Sequence, residues 1–295
     1  MQKAKFERTI KRIRHTAPIN FSLDDRITVV SMVSTSTVDM YLTAVKSFLK
    51  NFGRGTVEAI DDGSLSEDDY KVLKHHVPNI QFSKANDIET FDSPSYISWK
   101  RLYRVQQLAQ KSYVIQLDSD TLSIGPLVDI DHAVRNNKGF LIGSSRWAKA
   151  VNVNTLRDIV SQWKSTHVQA RAEANFHKLD FFKDNTHYLR GCAGFAGYPR
   201  NFATVEEIRN LSNEIYQYVG DDWKKWGSEQ TTTMCLISKC KNSQILPWPT
   251  YQNFDFPRSY ENISSMNFVH FIGSNRYQRG VYERLVSNFI KSSSI

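Results

Sequence analysis

"SYVIQLDSDTLSIG", residues 112–125, decides how this chain is read. Tyr113 to Leu117 is a mostly apolar run, broken only by Gln116 and bounded by small and polar residues, the pattern of a buried strand. It runs into Asp118-Ser119-Asp120, two carboxylates one residue apart at the strand's carboxyl end. In an extended segment residues i and i+2 point to the same side, so both carboxylates approach one cation while Ser119 turns away. Mg2+ and Mn2+ prefer oxygen ligands, and an ion held by few carboxylates keeps positions open for phosphate oxygens. The competing reading is an ordinary polar strand end, since so short a motif recurs by accident, and the surrounding chain decides between them.

On either side, strand and helix signals alternate. "ITVVSMV" (27–33) reads as a strand, and Val38, Tyr41, Leu42, Val45, Phe48 and Leu49 follow helical spacing up to a stop at Gly53. "TVEAI" (56–60) reads as a second strand ending in the turn "DDGS" (61–64), after which Ser66 and Asp69 form a capping box for a helix from Glu67. "NIQF" (79–82) is a short strand, "SWKRLYRVQQLAQ" (98–110) a helix and "GFLIG" (139–143) a further strand. This order predicts an α/β fold, a mostly parallel sheet flanked by helices on both faces. Ligands of such sheets bind beyond the carboxyl ends of the strands, where the loops converge. The ends of the first, second and fourth strands are "STST" (34–37), "DDGS" and "DSD", all three polar. Each alone is turn chemistry.

Composition narrows the classes. A chain of 295 residues, 40% hydrophobic and 12% aromatic, buries a substantial core, which excludes disorder. The net charge of +8 suits an anionic partner. The basic residues are dispersed outside the first stretch and no recognition motif is present, so no nucleic acid is expected. Cys192, Cys235 and Cys240 are odd in number and lack CxxC spacing, which argues against a disulfide framework or a zinc site and for a reducing cytosol. No apolar run reaches the roughly 20 residues of a spanning helix, and the N-terminus lacks the apolar core of a signal peptide, so a soluble, cytoplasmic protein is expected. The opening "MQKAKFERTIKRIRH" places Phe6, Ile10 and Ile13 along one stripe among Lys3, Lys5, Arg8, Lys11, Arg12 and Arg14. It reads either as a peripheral contact with an anionic membrane or as a basic helix packed on the domain.

Taken in order, these segments resemble the GT-A glycosyltransferases, which use nucleotide-sugar donors, and among them the glycogenin and bacterial galactosyltransferase group. The likeness runs over most of residues 27–276, through few and short motifs. It implies a GT-A, Rossmann-like fold: a basic segment 1–20, then one domain 21–295 with a nucleotide-binding half (about 21–145) and a smaller acceptor-side half (about 146–295). "VIQLDSDTL" is similar to the strand and DxD of that group, whose aspartates hold Mn2+ or Mg2+ against the diphosphate, which assigns Asp118 and Asp120 to the metal. "SWKRLYRVQQLA" resembles the preceding helix, with Arg101 facing the donor; the alternative is an exposed charge beside Lys100 and Arg104. In "AIDDGS", Asp62 or Asp61 stands where an aspartate accepts from the base, and Ser34 and Thr35 border the same nucleotide.

The later segments continue the resemblance. "RGCAGFAGYPR" (190–200) is similar to a strand usually written Asn-x-Gly beside the donor sugar; Cys192 replaces the Asn, while Ala193 and Gly194 keep the close backbone approach. "WGSEQTTTMCLI" (226–237) resembles the acidic segment beside the reaction centre, making Glu229 and Gln230 the catalytic candidates. Otherwise Glu229 complements a helix dipole. "NFVHFIGSNRYQRG" (267–280) resembles the closing His-x-x-Gly segment, giving His270 as third metal ligand and Gly273 beside the phosphates. The group's lysine is missing there, and Arg276 or Arg279 takes its place. The implied activity is sugar transfer from a nucleotide-sugar donor, with a UDP-sugar favoured, to a glycan or lipid-linked glycan. Retention is favoured over inversion on resemblance. Two rivals are a non-catalytic nucleotide-sugar binder and a sugar-phosphate nucleotidylyltransferase; the second needs a Gly-rich loop after the first strand, and "VSTSTVDM" has no glycine.

Overall fold

The computed structural model describes residues 2–255 and 258–293; Met1 and Ile295, the outer bounds of the two expected segments, lie outside the described residues. The strands are β1 Ile27–Val33, β2 Thr56–Asp61, β3 Gln81–Lys84, β4 Tyr113–Leu117, β5 Thr121–Ser123, β6 Phe140–Ile142, β7 Val151–Asn152, β8 His187–Tyr188, β9 Cys192–Tyr198, β10 Gln244–Ile245, β11 Tyr251–Asn253 and β12 Phe268–His270. The helices are α1 Gln2–Ile10, α2 Val38–Phe52, α3 Glu67–His76, α4 Ile97–Ala109, α5 Val128–Arg135, α6 Val153–Val160, α7 Val168–Glu173, α8 Val205–Val219, α9 Ser228–Lys239, α10 Arg258–Glu261 and α11 Val281–Lys291.

A seven-stranded sheet in the order β10-β6-β9-β4-β1-β2-β3 forms the centre. β3, β2, β1 and β4 run parallel, β9 is antiparallel between β4 and β6, and β10 is parallel to β6. A second, three-stranded sheet has the order β11-β12-β5, and β7 pairs with β8. The apolar strands have cores on both sides. Val29 and Val33 of β1 and Ile115 of β4 join Tyr41, Val45 and Phe48 of α2 in one core; Val30 and Val114 join Trp99, Leu102 and Val105 of α4 in the other. Burial on both faces removes the polar alternation that a half-exposed strand would show.

Local signals set most boundaries. Gly53, at φ +83°, ends α2 with its N–H donating to the Leu49 carbonyl at 2.8 Å. Ser66 and Asp69 form the expected reciprocal capping box of α3, at 3.2 and 3.0 Å. The third strand starts later than the apolar pattern suggests, at Gln81, because Asn79 turns at φ +65°.

The N-terminal stripe packs inward. Phe6, Ile10 and Ile13 are buried and α1 lies against α11, so of the two readings left open the apolar stripe takes the second and packs on the domain itself. Lys3, Lys5, Arg8, Lys11, Arg12 and Arg14 remain exposed. No helix among the described residues is long and apolar enough to cross a membrane.

The segment after α1 is tied down by a buried ammonium. Lys46 of α2 donates to Thr16 Oγ1 (2.5 Å), the Ala17 carbonyl (2.7 Å) and His76 Nδ1 (3.2 Å), so its three donors are satisfied. Burial lowers Lys46 to about 8, and burial together with the Lys46 charge lowers His76 from 6.5 to about 4. His76 is therefore neutral in the fold, with Nδ1 accepting. As pH falls from about 6.5 to about 4 the unfolded chain takes a proton that the folded one refuses, so stability present at neutral pH is lost across that window, by about 3 kcal/mol. Urea denaturation at pH 7 and pH 4.5 should show this loss, and His76→Gln should flatten it.

Candidate active site

The two aspartates converge through a turn. Asp118 to Asp120 lie between β4 and β5 in a turn, not in the extended segment expected, so strand alternation is not what aligns their carboxylates. Backbone pins do so instead: the Asp118 N–H donates to the Gly194 carbonyl, and the Phe271 N–H to the Asp120 carbonyl, both at 2.8 Å. Thr121 Oγ1 closes the turn on the Asp118 carbonyl at 2.8 Å. β12 runs antiparallel to β5 with His270 opposite Thr121, which carries the imidazole to the turn.

Asp118, Asp120 and His270 offer ligand atoms that all lie within 4.8 Å of one another. His270 Nε2 is 3.0 Å from Asp120 Oδ1 and 3.9 Å from Asp118 Oδ2. Its Nδ1 is 3.0 Å from Asn253 Oδ1. An amide oxygen only accepts, so Nδ1 carries a proton and Nε2 is the atom directed at the carboxylates. Two carboxylates and an imidazole oriented from behind are a donor set that fits Mn2+ or Mg2+. His270 is raised well above its ordinary value: burial opposes the charge, but Asp120 and then Cys192 outweigh it. Asp118 is raised, by burial and by Asp120, against the pull of Arg101 and His270. Asp120 is lowered, because His270 and Arg276 overcome its burial.

Two arginines hold the aspartates. Arg101 Nη1 is 2.5 Å from Asp118 Oδ1, and its side chain is only 13% exposed, so it is not a solvated surface charge. Arg104 on the same helix pairs with Glu58 instead, at 2.6 and 2.9 Å. Arg276 Nη2 pairs with Asp120 Oδ2, while its Nε donates to the Phe271 carbonyl at 2.9 Å. Ser34, Asp62, Arg101, Asp118, Asp120 and Arg276 line one cleft of about 240 Å³ at the carboxyl ends of β1, β2 and β4. The three polar strand ends thus meet where the topology directs them. Of the alternatives left open, Asp62 and Arg276 are the ones that line the cleft. Asp61 is buried and holds the turn through the N–H groups of Gly63 and Leu65 and the Tyr70 hydroxyl.

The remaining expected residues sit elsewhere. Thr35 Oγ1 lies against Asp69 Oδ2 (2.7 Å) and the Ser64 carbonyl, with one proton to give to either, so its hydroxyl serves the loops and does not line the cleft. Ala193 is buried, with its carbonyl accepting from Gln116 Nε2. Gly273 lies exposed after β12 at φ +55°. Gly194 touches His270: a Cβ there would sit 2.1 Å from His270 Cε1. Its lack of a side chain makes room for the imidazole.

Glu229 lies in the first turn of α9, 4% exposed, with Oε1 3.5 Å from Arg101 Nη2. Burial raises its carboxyl, with Arg101 opposing. Trp99 Nε1 donates to Ser228 Oγ at 3.0 Å, fastening α4 to α9 and setting Arg101 between Glu229 and Asp118. Glu229 therefore stands behind Arg101 and not on the cleft wall. Gln230 Oε1 accepts from Cys192 Sγ at 3.5 Å, and the same sulfur is 3.5 Å from His270 Nδ1. Asn253 was not anticipated. It reaches His270 because β11 pairs in register with β12, and three-residue strands leave no pattern to read.

No protein-family model and no curated protein matches the sequence. Solved structures do match in fold. The galactosyltransferase LgtC, in complex with donor and acceptor sugar analogs, superimposes with a TM-score of 0.56 at 13% identity over 91% of this chain and 96% of that one. The glycosyltransferase GlyE of Streptococcus pneumoniae TIGR4 gives 0.51 at 11% identity over 90% of this chain and 62% of its own. The bifunctional glycosyltransferase WbbM gives 0.52 at 12% identity over 90% of this chain and 52% of its own. With its sheet order, its polar strand ends and its carboxylate turn at the carboxyl end of β4, the chain has the GT-A fold of the glycosyltransferases.

Proposed function

We propose that the protein is a metal-dependent glycosyltransferase that moves a sugar from a nucleoside-diphosphate sugar, a UDP-sugar in the first instance, to a hydroxyl of a glycan or lipid-linked glycan. The observation that carries this reading is the meeting of Asp118, Asp120 and His270 beside a cleft lined by Arg101 and Arg276. Asp118, Asp120 and His270 would hold Mn2+ or Mg2+, which when bound stabilises the charge on the departing diphosphate as a Lewis acid. Asn253 fixes the tautomer of His270, and Gly194 gives its ring room. Asp62 and Ser34 stand at the nucleoside end of the cleft, where an acidic oxygen accepts from a base N–H.

Arg101 carries a permanent charge into the cleft while shared between Asp118 and Glu229. Arg276, one-quarter exposed, can exchange Asp120 for a phosphate oxygen with two parallel N–H donors. Glu229, buried behind Arg101, suits a positioning role better than that of a base reaching an acceptor hydroxyl. That placement favours retention, with the departing phosphate taking the acceptor proton. Glu229→Gln should lower transfer more than donor affinity, and a larger loss of affinity than of transfer would contradict the role. The exposed basic residues of α1 suit an acidic membrane surface by charge without insertion, which would bring a lipid-linked acceptor to the protein.

A thermal-shift panel of nucleotide sugars tests the donor class. Ligand at a hundred times Kd stabilises by about 2.7 kcal/mol, a shift of a few degrees for a chain this size. The shift should occur with UDP- or GDP-sugars only when Mn2+ or Mg2+ is present. No shift with any nucleotide would overturn the reading.

A further inference from the structure

The N-terminal helix reaches the metal site through a chain of aromatic rings. Phe6 of α1 lies 4.4 Å from the Tyr282 ring and 5.2 Å from the Tyr277 ring, centroid to centroid. Tyr282 in turn stacks on Phe271 at 4.0 Å and 15°. Phe271 follows the ligand His270, and both of its backbone groups are committed to the site. Its N–H donates to the Asp120 carbonyl at 2.8 Å, and its carbonyl accepts from Arg276 Nε at 2.9 Å. The far end of Arg276 pairs with Asp120 Oδ2. Thr9 Oγ1 and Lys5 Nζ fasten α1 to Glu283 of α11 at 2.8 and 2.9 Å. The segment 273–280 that carries Arg276 is therefore held from outside by α1, with Phe6 buried at the joint.

We propose that α1 is a positioning strap for the diphosphate site, and that Phe6, through Tyr277, Tyr282 and Phe271, sets where Arg276 stands. This rests on the reading of the cleft as a metal and diphosphate site. In that cleft Arg276 has two uses that a loosened strap affects in opposite directions. Pairing with Asp120 competes with a metal ion for that carboxylate. Aimed at the cleft, the same guanidinium grips phosphate. Loosening the loop weakens both contacts, so bare metal binding should hold or tighten while diphosphate binding weakens. General destabilisation would weaken both.

The test is titration calorimetry on the full chain with Mn2+ alone and with inorganic pyrophosphate in saturating Mn2+, below the onset of melting. Phe6→Ala should leave Mn2+ affinity unchanged or raised and weaken pyrophosphate about tenfold. Arg276→Ala should show the same pair of changes, and Phe6→Ala combined with it should add little, because both remove one interaction. If Phe6→Ala does not fold, Phe6→Leu, which keeps apolar volume but loses the ring contacts, carries the same test. Equal pyrophosphate affinity in wild type and the Phe6 variant, or fully additive losses, would overturn the strap. Failure of the wild type to bind Mn2+ and pyrophosphate would instead overturn the site reading on which it rests.

Discussion

Asp120→Ala is expected to abolish Mn2+ binding and lower sugar transfer by about a thousandfold, since metal stabilisation of a leaving group is worth several kcal/mol. Asp120 faces His270 Nε2 with one oxygen and Arg276 with the other, so its loss takes away a ligand and releases a cation. The fold should tolerate it. Arg276 is one-quarter exposed and can turn to water, and His270 can return to its neutral form, so the stability loss should stay at about 1 kcal/mol. Asp120→Asn keeps the shape and should lose the metal as well. Calorimetric Mn2+ titration with parallel urea melts checks both parts; retained Mn2+ affinity in either variant would remove Asp120 from the ligand set.

Gly194→Ala should be nearly as damaging, by a different route. The added methyl would meet the His270 ring at 2.1 to 2.8 Å, and the ring has little freedom to yield because Nδ1 is tied to Asn253 and the side chain is 4% exposed. Either the imidazole leaves the aspartates or β9 moves, and β9 also holds Asp118 through the Gly194 carbonyl. Mn2+ affinity should fall about 10- to 100-fold, the range for losing an orienting contact. Stability should fall by about 1–3 kcal/mol from overpacking. Binding and stability indistinguishable from wild type would show that the ring is not confined as the geometry requires.

Much of the fold was legible because its signals are local or periodic. Gly53 and the Ser66 and Asp69 pair mark helix ends by backbone chemistry that does not depend on the rest of the molecule. β1 and β4 are buried along almost their whole length because helices cover both faces, and the alternation of such strands with helical segments implied a parallel sheet with its loops on one edge. Asp118, Asp120 and the Asp61-Asp62 turn could be placed on one edge from that inference, whereas Arg101 came only from the family resemblance and the choice between Asp61 and Asp62 stayed open. The rest depends on contacts that no local pattern encodes. Asn253 reaches His270 through the register of two three-residue strands. Glu229 is buried behind Arg101 because Trp99 and Ser228 join two helices far apart in sequence. The stripe of Phe6, Ile10 and Ile13 was visible, but only packing decides whether such a stripe faces a bilayer or its own domain, and here Tyr277 and Tyr282 receive Phe6.

The central claim is chemical: the Asp118, Asp120 and His270 site turns over a nucleotide sugar. Its most direct measurement is release of nucleoside diphosphate from UDP- and GDP-sugars, with water or an added glycan as acceptor, in the presence of Mn2+ and again with a chelator. The account predicts release with at least one donor, lost on chelation and restored by Mn2+. Binding of nucleotide sugars with no release from any donor would make the protein a binder, and release unchanged by the chelator would contradict the metal site.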